Sequence, residues 1–146
     1  MISSKLVILN LSFNNLGNES IDIISNSLSK SSSLLSLDLS SNNIQSEGAS
    51  NLFKSLLNSS TITHLNISNN GETQKNHIGI KGAISLKYLL ENNCILSILN
   101  IADNLIGNDG FQIICGGLDF NNSIISLDIS NNNLSNNTFF NLCIHK

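Results

Sequence analysis

The chain has no proline, tryptophan or arginine, and only one tyrosine and one methionine, in 146 residues. Without arginine it has none of the guanidinium forks that clamp phosphates or read base edges. Its seven lysines are scattered rather than gathered into a patch, so no nucleic-acid partner is expected. Charged residues make up only 12% of the chain and the net charge is -3. No apolar stretch approaches the ~20 residues of a membrane span, and no membrane partner is expected. The opening Met1-Ile2-Ser3-Ser4-Lys5 does not read as a secretory signal. Three cysteines, Cys94, Cys115 and Cys143, are an odd count without metal-ligand spacing. They read as small apolar residues in a reducing, cytoplasmic setting.

What the chain does contain is leucine, isoleucine, asparagine and serine. Apolar residues reach 40%, too many for a disordered chain. They recur with a fixed period. Leu6, Leu9, Leu11, Asn14 and Leu16 fit L-x-x-L-x-L-x-x-N-x-L. The pattern returns at Leu34, Leu37, Leu39, Asn42 and Ile44, and at Ile62, Leu65, Ile67 and Asn70. It returns again from Leu96 to Ile106 and from Ile124 to Leu134. The five starts fall near positions 6, 34, 62, 96 and 124, so the steps between them are equal except for a longer third one.

The second half of each unit has a different spacing. Gly48, Ala49, Leu52 and Leu56 follow Ile44, Gly82, Ala83, Leu86 and Leu90 follow Ile78, and Gly110, Phe111, Ile114 and Leu118 follow Ile106. Steps of three and four place these side chains on one face of a helix, whereas L-x-L alternation places Leu37 and Leu39 on one face of a strand. One strand-turn-helix unit cannot bury both faces alone, so neighbouring units must stack. The expected fold is an α/β solenoid with a parallel sheet on the concave face and helices on the convex face. It holds about five repeats in a single domain over residues 1–146.

The 28-residue unit resembles the ribonuclease-inhibitor class of leucine-rich repeats. That class includes ribonuclease inhibitor, the sensor regions of NOD-like receptors and Ran GTPase-activating protein. The resemblance implies a protein-interaction module that binds a partner on its concave sheet and adjoining loops. A GTPase regulator is the alternative it raises.

Side chains at the motif asparagines can donate and accept together, so they suit backbone groups left unpaired where each strand ends. Asn14, Asn42, Asn70, Asn104 and Asn132 are expected to form an internal ladder. The six extra residues of the third unit are expected within residues 71–76, as an enlarged loop that carries Glu72 and Lys75. The variable strand positions point outward, and among them Phe13, Asp38, His64, Asn66, Asn100, Asp103 and Asp128 are the candidate partner contacts. This face is polar and mildly acidic, which suits a basic partner.

Catalysis is not expected. His64 has Asp38 and Asp103 on nearby strands, but no nucleophile with a base and an orienting group is evident. His77 and His145 stand apart from other ligands, so neither a metal nor a cofactor is expected. The first motif begins without a polar cap, and Lys146 falls where Leu28, Leu56, Leu90 and Leu118 stand in earlier units. A last repeat truncated in this way suggests a fragment of a longer protein, without independent function, or end-to-end self-association through uncapped repeats.

Overall fold

Within each unit the chain passes from a three-residue strand through a tight turn into a helix and back. A computed structural model describes residues 5–28, 32–71 and 73–135. Among them the order is β1 (Ile8–Asn10), α1 (Gly17–Leu28), β2 (Ser36–Asp38), α2 (Ser46–Leu56), β3 (His64–Asn66), α3 (Gly79–Asn92), β4 (Ile98–Asn100), α4 (Gly107–Leu118) and β5 (Ser126–Asp128). All five strands are parallel and pair in sequence order, β1-β2-β3-β4-β5. The register follows the repeat: Leu9, Leu37, Leu65, Leu99 and Leu127 are aligned across the sheet. The longer third unit therefore leaves strand pairing intact. Its extra residues are accommodated between β3 and α3.

The core lies between sheet and helices. Leu37, Leu39, Ile44, Leu52, Phe53, Ile67, Ile78 and Leu86 are all fully buried. Small residues set the helix spacing. A Cβ on Gly82 would stand 2.6 Å from Cγ2 of Ile78 at the start of its own helix and 3.3 Å from Ala49 Cβ on α2, so hydrogen at this position lets α3 pack tightly against both. The hydroxyls of Ser50 and Ser85 bond to each other at 2.8 Å across the same buried seam. Strands stack ~4.8 Å apart and helices ~8–10 Å apart, so the stack bends toward the sheet, which forms the concave face.

Two ladders of polar side chains tie the loops together. At the strand exits, Asn42 Oδ1 accepts the N–H groups of Asn14 and Leu16, and Asn132 Oδ1 accepts those of Asn104 and Ile106. The amide of Asn42 donates to Leu11 and Ser40 carbonyls, and that of Asn104 to those of Ile67, Ile101 and Ala102. The residues flanking these asparagines (Ser41 and Asn43, Asp103 and Leu105, Asn131 and Asn133) adopt positive φ, which lets the chain turn tightly around each rung.

In the third unit the rung is Asn76, which corrects the expectation for Asn70. Asn76 is buried, its Oδ1 accepts from Asn42 and Ile44, and its amide donates to Leu39 and Ile67 carbonyls. Asn70 is exposed and donates its backbone N–H to Ser41 Oγ. The extra residues are thus 70–75, ahead of the rung, rather than 71–76. Sequence alone could not separate the two, because both alignments leave the same Ser-Asn-Asn-His string.

The second ladder runs along the opposite, helix-to-strand side, and the repeat motif gives no hint of it. Asn121 Oδ1 accepts from Ser123 and Ile124 while its amide reaches the Leu90 carbonyl of the preceding unit. Asn93 does the same with Ile95, Leu96 and the Leu56 carbonyl, and Ser59 Oγ accepts from Ile62. The available signal is that Ser59, Asn93 and Asn121 repeat in step with the motif starts Ile62, Leu96 and Ile124, each just ahead of its strand.

Candidate functional site

Each strand sends its first and third side chains out of the sheet. Pairing therefore builds two rows on the concave face: Ile8, Ser36, His64, Ile98 and Ser126, then Asn10, Asp38, Asn66, Asn100 and Asp128. The second row has a local duty as well. In every unit the Oδ1 atom of that residue accepts the backbone N–H two positions on, at Ser12, Ser40, Ser68, Ala102 and Ser130. An Asx turn of this kind starts the chain out of the strand. Four of the expected contacts, Asp38, Asn66, Asn100 and Asp128, thus shape the scaffold too.

Aspartate and asparagine both supply an Oδ1 that makes this bond, so the turn does not require charge. The carboxylates of Asp38 and Asp128 bring negative charge that asparagine does without at Asn10, Asn66 and Asn100. Asp38 Oδ2 takes one further bond, from the Asn66 amide at 3.0 Å. His64 is exposed between them, with Nδ1 held 2.7 Å from the Thr63 hydroxyl. The strands themselves carry no lysine.

The enlarged loop lies along the strand-exit rim and reaches units on both sides. Asn70 bonds Ser41, the Gln74 carbonyl accepts from the Asn43 N–H at 2.8 Å, and a Cβ on Gly71 would stand 3.6 Å from Phe13 Cε1. In the other direction, Lys75 Nζ meets Asp103 Oδ2 at 2.8 Å. The structure thus brings Phe13, Lys75 and Asp103 to one rim, beside the strand row of Asp38, Asn66, Asn100 and Asp128, with His64 in the neighbouring row. Glu72 lies outside the described residues, as does the C-terminal stretch from 136 to Lys146 with Cys143.

The loop's base is held by Asn69. Its Oδ1 accepts the Asn76 N–H at 2.6 Å, and its amide donates to the carbonyls of Asn76 and Asp103. At the other three rungs, Asn14, Asn42 and Asn104, that N–H goes to the next unit's asparagine. Here the next asparagine, Asn104, keeps a fully buried Oδ1 with no donor.

Among the described residues, no group of three or more His, Cys, Asp or Glu is placed to hold a metal ion. No described helix is long and apolar enough to cross a membrane. Cys94 is exposed and unpaired, and Cys115 is unpaired and partly buried. Burial, and secondarily the Asp119 carboxylate, pushes the Cys115 thiol up to about 11.

A leucine-rich repeat family model matches residues 3–22 and 30–53. Comparison with curated protein sequences gives no significant match. Among solved structures, leiomodin-1 actin-binding site 2 is similar, with a TM-score of 0.77 and 20% identity, over 96% of this chain and 80% of that one. At that identity the likeness establishes the fold, a leucine-rich-repeat solenoid. Solenoids of this kind generally use their extended concave surface for binding.

Proposed function

We propose that this chain is a non-catalytic protein-interaction module that receives a basic partner on its concave sheet and the adjoining strand-exit rim. One observation carries the reading. The concave strands present Asp38 and Asp128 three strands apart, ~14 Å at ordinary strand spacing, with His64 and Ile98 between them and no strand lysine to neutralise them. A partner with cationic groups at that separation gains two ion pairs across an otherwise hydrogen-bonding surface. Complementary charge of this kind chiefly steers encounter and fixes orientation. Ile8, Phe13 and Ile98 add apolar contact, with Ile8 and Phe13 more than half exposed.

The regular repeat period and convex helices of 11 to 14 residues support assignment to the ribonuclease-inhibitor class. Unpaired Cys94 and Cys115 suit a reducing cytoplasmic setting.

The test is affinity capture from cytosol with wild-type protein and an Asp38→Lys/Asp128→Lys variant, each confirmed folded by circular dichroism. A discrete protein retained by the wild type and lost with the variant, with retention falling as salt rises, supports the proposal. An identical catch from both proteins refutes it.

A further inference from the structure

We infer that Lys75 is an internal competitor for the partner: its ion pair with Asp103 occupies an acidic contact that a basic ligand would otherwise take. The inference rests on the concave-face reading above and concerns how that same face is regulated.

Three observations carry it. Asp103 stands at the strand-exit rim of β4, between the Asp38 and Asp128 strands, at the position held by Phe13, Ser41 and Asn131 in the other regular units. It is the only acid of that row. Lys75 meets it at 2.8 Å with side-chain exposures of 45% for the lysine and 26% for the aspartate, so the pair sits at the surface and can exchange. The lysine arrives there because the extra residues of the third unit are bound in place. Asn69 holds the base of the loop through Asn76 and the Asp103 carbonyl, Asn70 is bonded to Ser41, and Gln74 is bonded to Asn43.

Holding the loop this way costs the array a buried hydrogen bond, since the Asn76 N–H turns to Asn69 and Asn104 Oδ1 is left without a donor. The geometry thus trades a regular rung for a cation delivered to the binding rim. A half-exposed pair of this kind is weak, so a multivalent basic partner displaces Lys75 while a single stray cation gains little.

A decalysine peptide labelled with a fluorophore serves as the probe, with affinity read by anisotropy at low salt. Lys75→Gln is expected to tighten binding about two- to fivefold, the range set by an exposed ion pair. General charge would also favour that variant, so the deciding measurement is the double-mutant cycle with Asp103→Asn. Competition predicts that Lys75→Gln gives no gain once Asp103 is asparagine, whereas a general charge effect keeps the gain. Asparagine also tolerates the positive φ of 55° at position 103, so both variants are expected to fold.

A gain that survives in the Asp103→Asn background, or no gain at all, overturns the inference. Loss of affinity in an Asp38→Asn/Asp128→Asn variant alongside either of those results leaves the concave-face reading standing. Binding that ignores those two aspartates, or no binding by any variant, overturns both.

Discussion

Removing residues 70–75 joins Asn69 directly to Asn76 and restores the common period. In the shortened chain Asn69 takes the place that Asn131 holds in the last unit, where asparagine sits comfortably at a φ of 56°. The Asn76 N–H is then free to reach Asn104 Oδ1, as Asn104 reaches Asn132 at 2.8 Å. Satisfying a buried carbonyl that now lacks a donor is worth about 1–3 kcal/mol. Against this stand the surface Lys75–Asp103 pair, about 0.2–1 kcal/mol, and the three hydrogen bonds of Asn69, each about 0.5–1.5 kcal/mol net. Closing a shorter loop adds only tenths. Gains and losses nearly offset, so the shortened chain is expected to keep a cooperative transition with stability within about 2 kcal/mol of the wild type. Urea unfolding followed by circular dichroism checks it. A midpoint lowered by the equivalent of clearly more than about 2 kcal/mol at an unchanged slope, or loss of the cooperative transition, would show that the loop braces the array, and would refute the exchange of bonds described above.

Asn76→Ala should destabilise by about 2–4 kcal/mol, because it strands the N–H groups of Asn42 and Ile44, whereas Asn70→Ala should stay within about 0.5 kcal/mol; paired urea melts decide. Leu39→Asp should abolish the cooperative transition, since Leu39 is wholly buried between units and the carboxylate would find no partner there; an unchanged far-ultraviolet spectrum would contradict the register. Iodoacetamide at pH 8 should label Cys94 much faster than Cys115. With the Cys115 thiol pushed up to about 11, only about a thousandth of it is thiolate at that pH. Peptide mapping by mass spectrometry reads both sites, and equal rates would contradict the burial.

The repeat made most of the architecture legible. Leu37 and Leu39 announced a strand, Ala49, Leu52 and Leu56 a helix, and the common period their stacking. The site was less legible for physical reasons. A motif reads Asn70 and Asn76 alike, and only the hydrogen bonds to Asn42 and Leu39 separate rung from loop. Asp38 and Asp128 looked like free surface groups, yet each also starts its strand-exit turn. Lys75 and Asp103 belong to different repeats, and nothing short of the folded loop reveals that they meet. The second ladder escaped because Ser59, Asn93 and Asn121 are common loop residues whose alignment matters only once the units are stacked.

The most direct test of the concave face as the binding surface is site-specific photo-crosslinking in cytosol. A photoreactive phenylalanine analogue replaces His64 on the sheet in one sample and exposed Gln112 on α4 in another. A discrete covalent adduct from position 64, weakened by Asp38→Lys and absent from position 112, is the expected result. An adduct from position 112 with none from position 64 would place binding on the helices and contradict it.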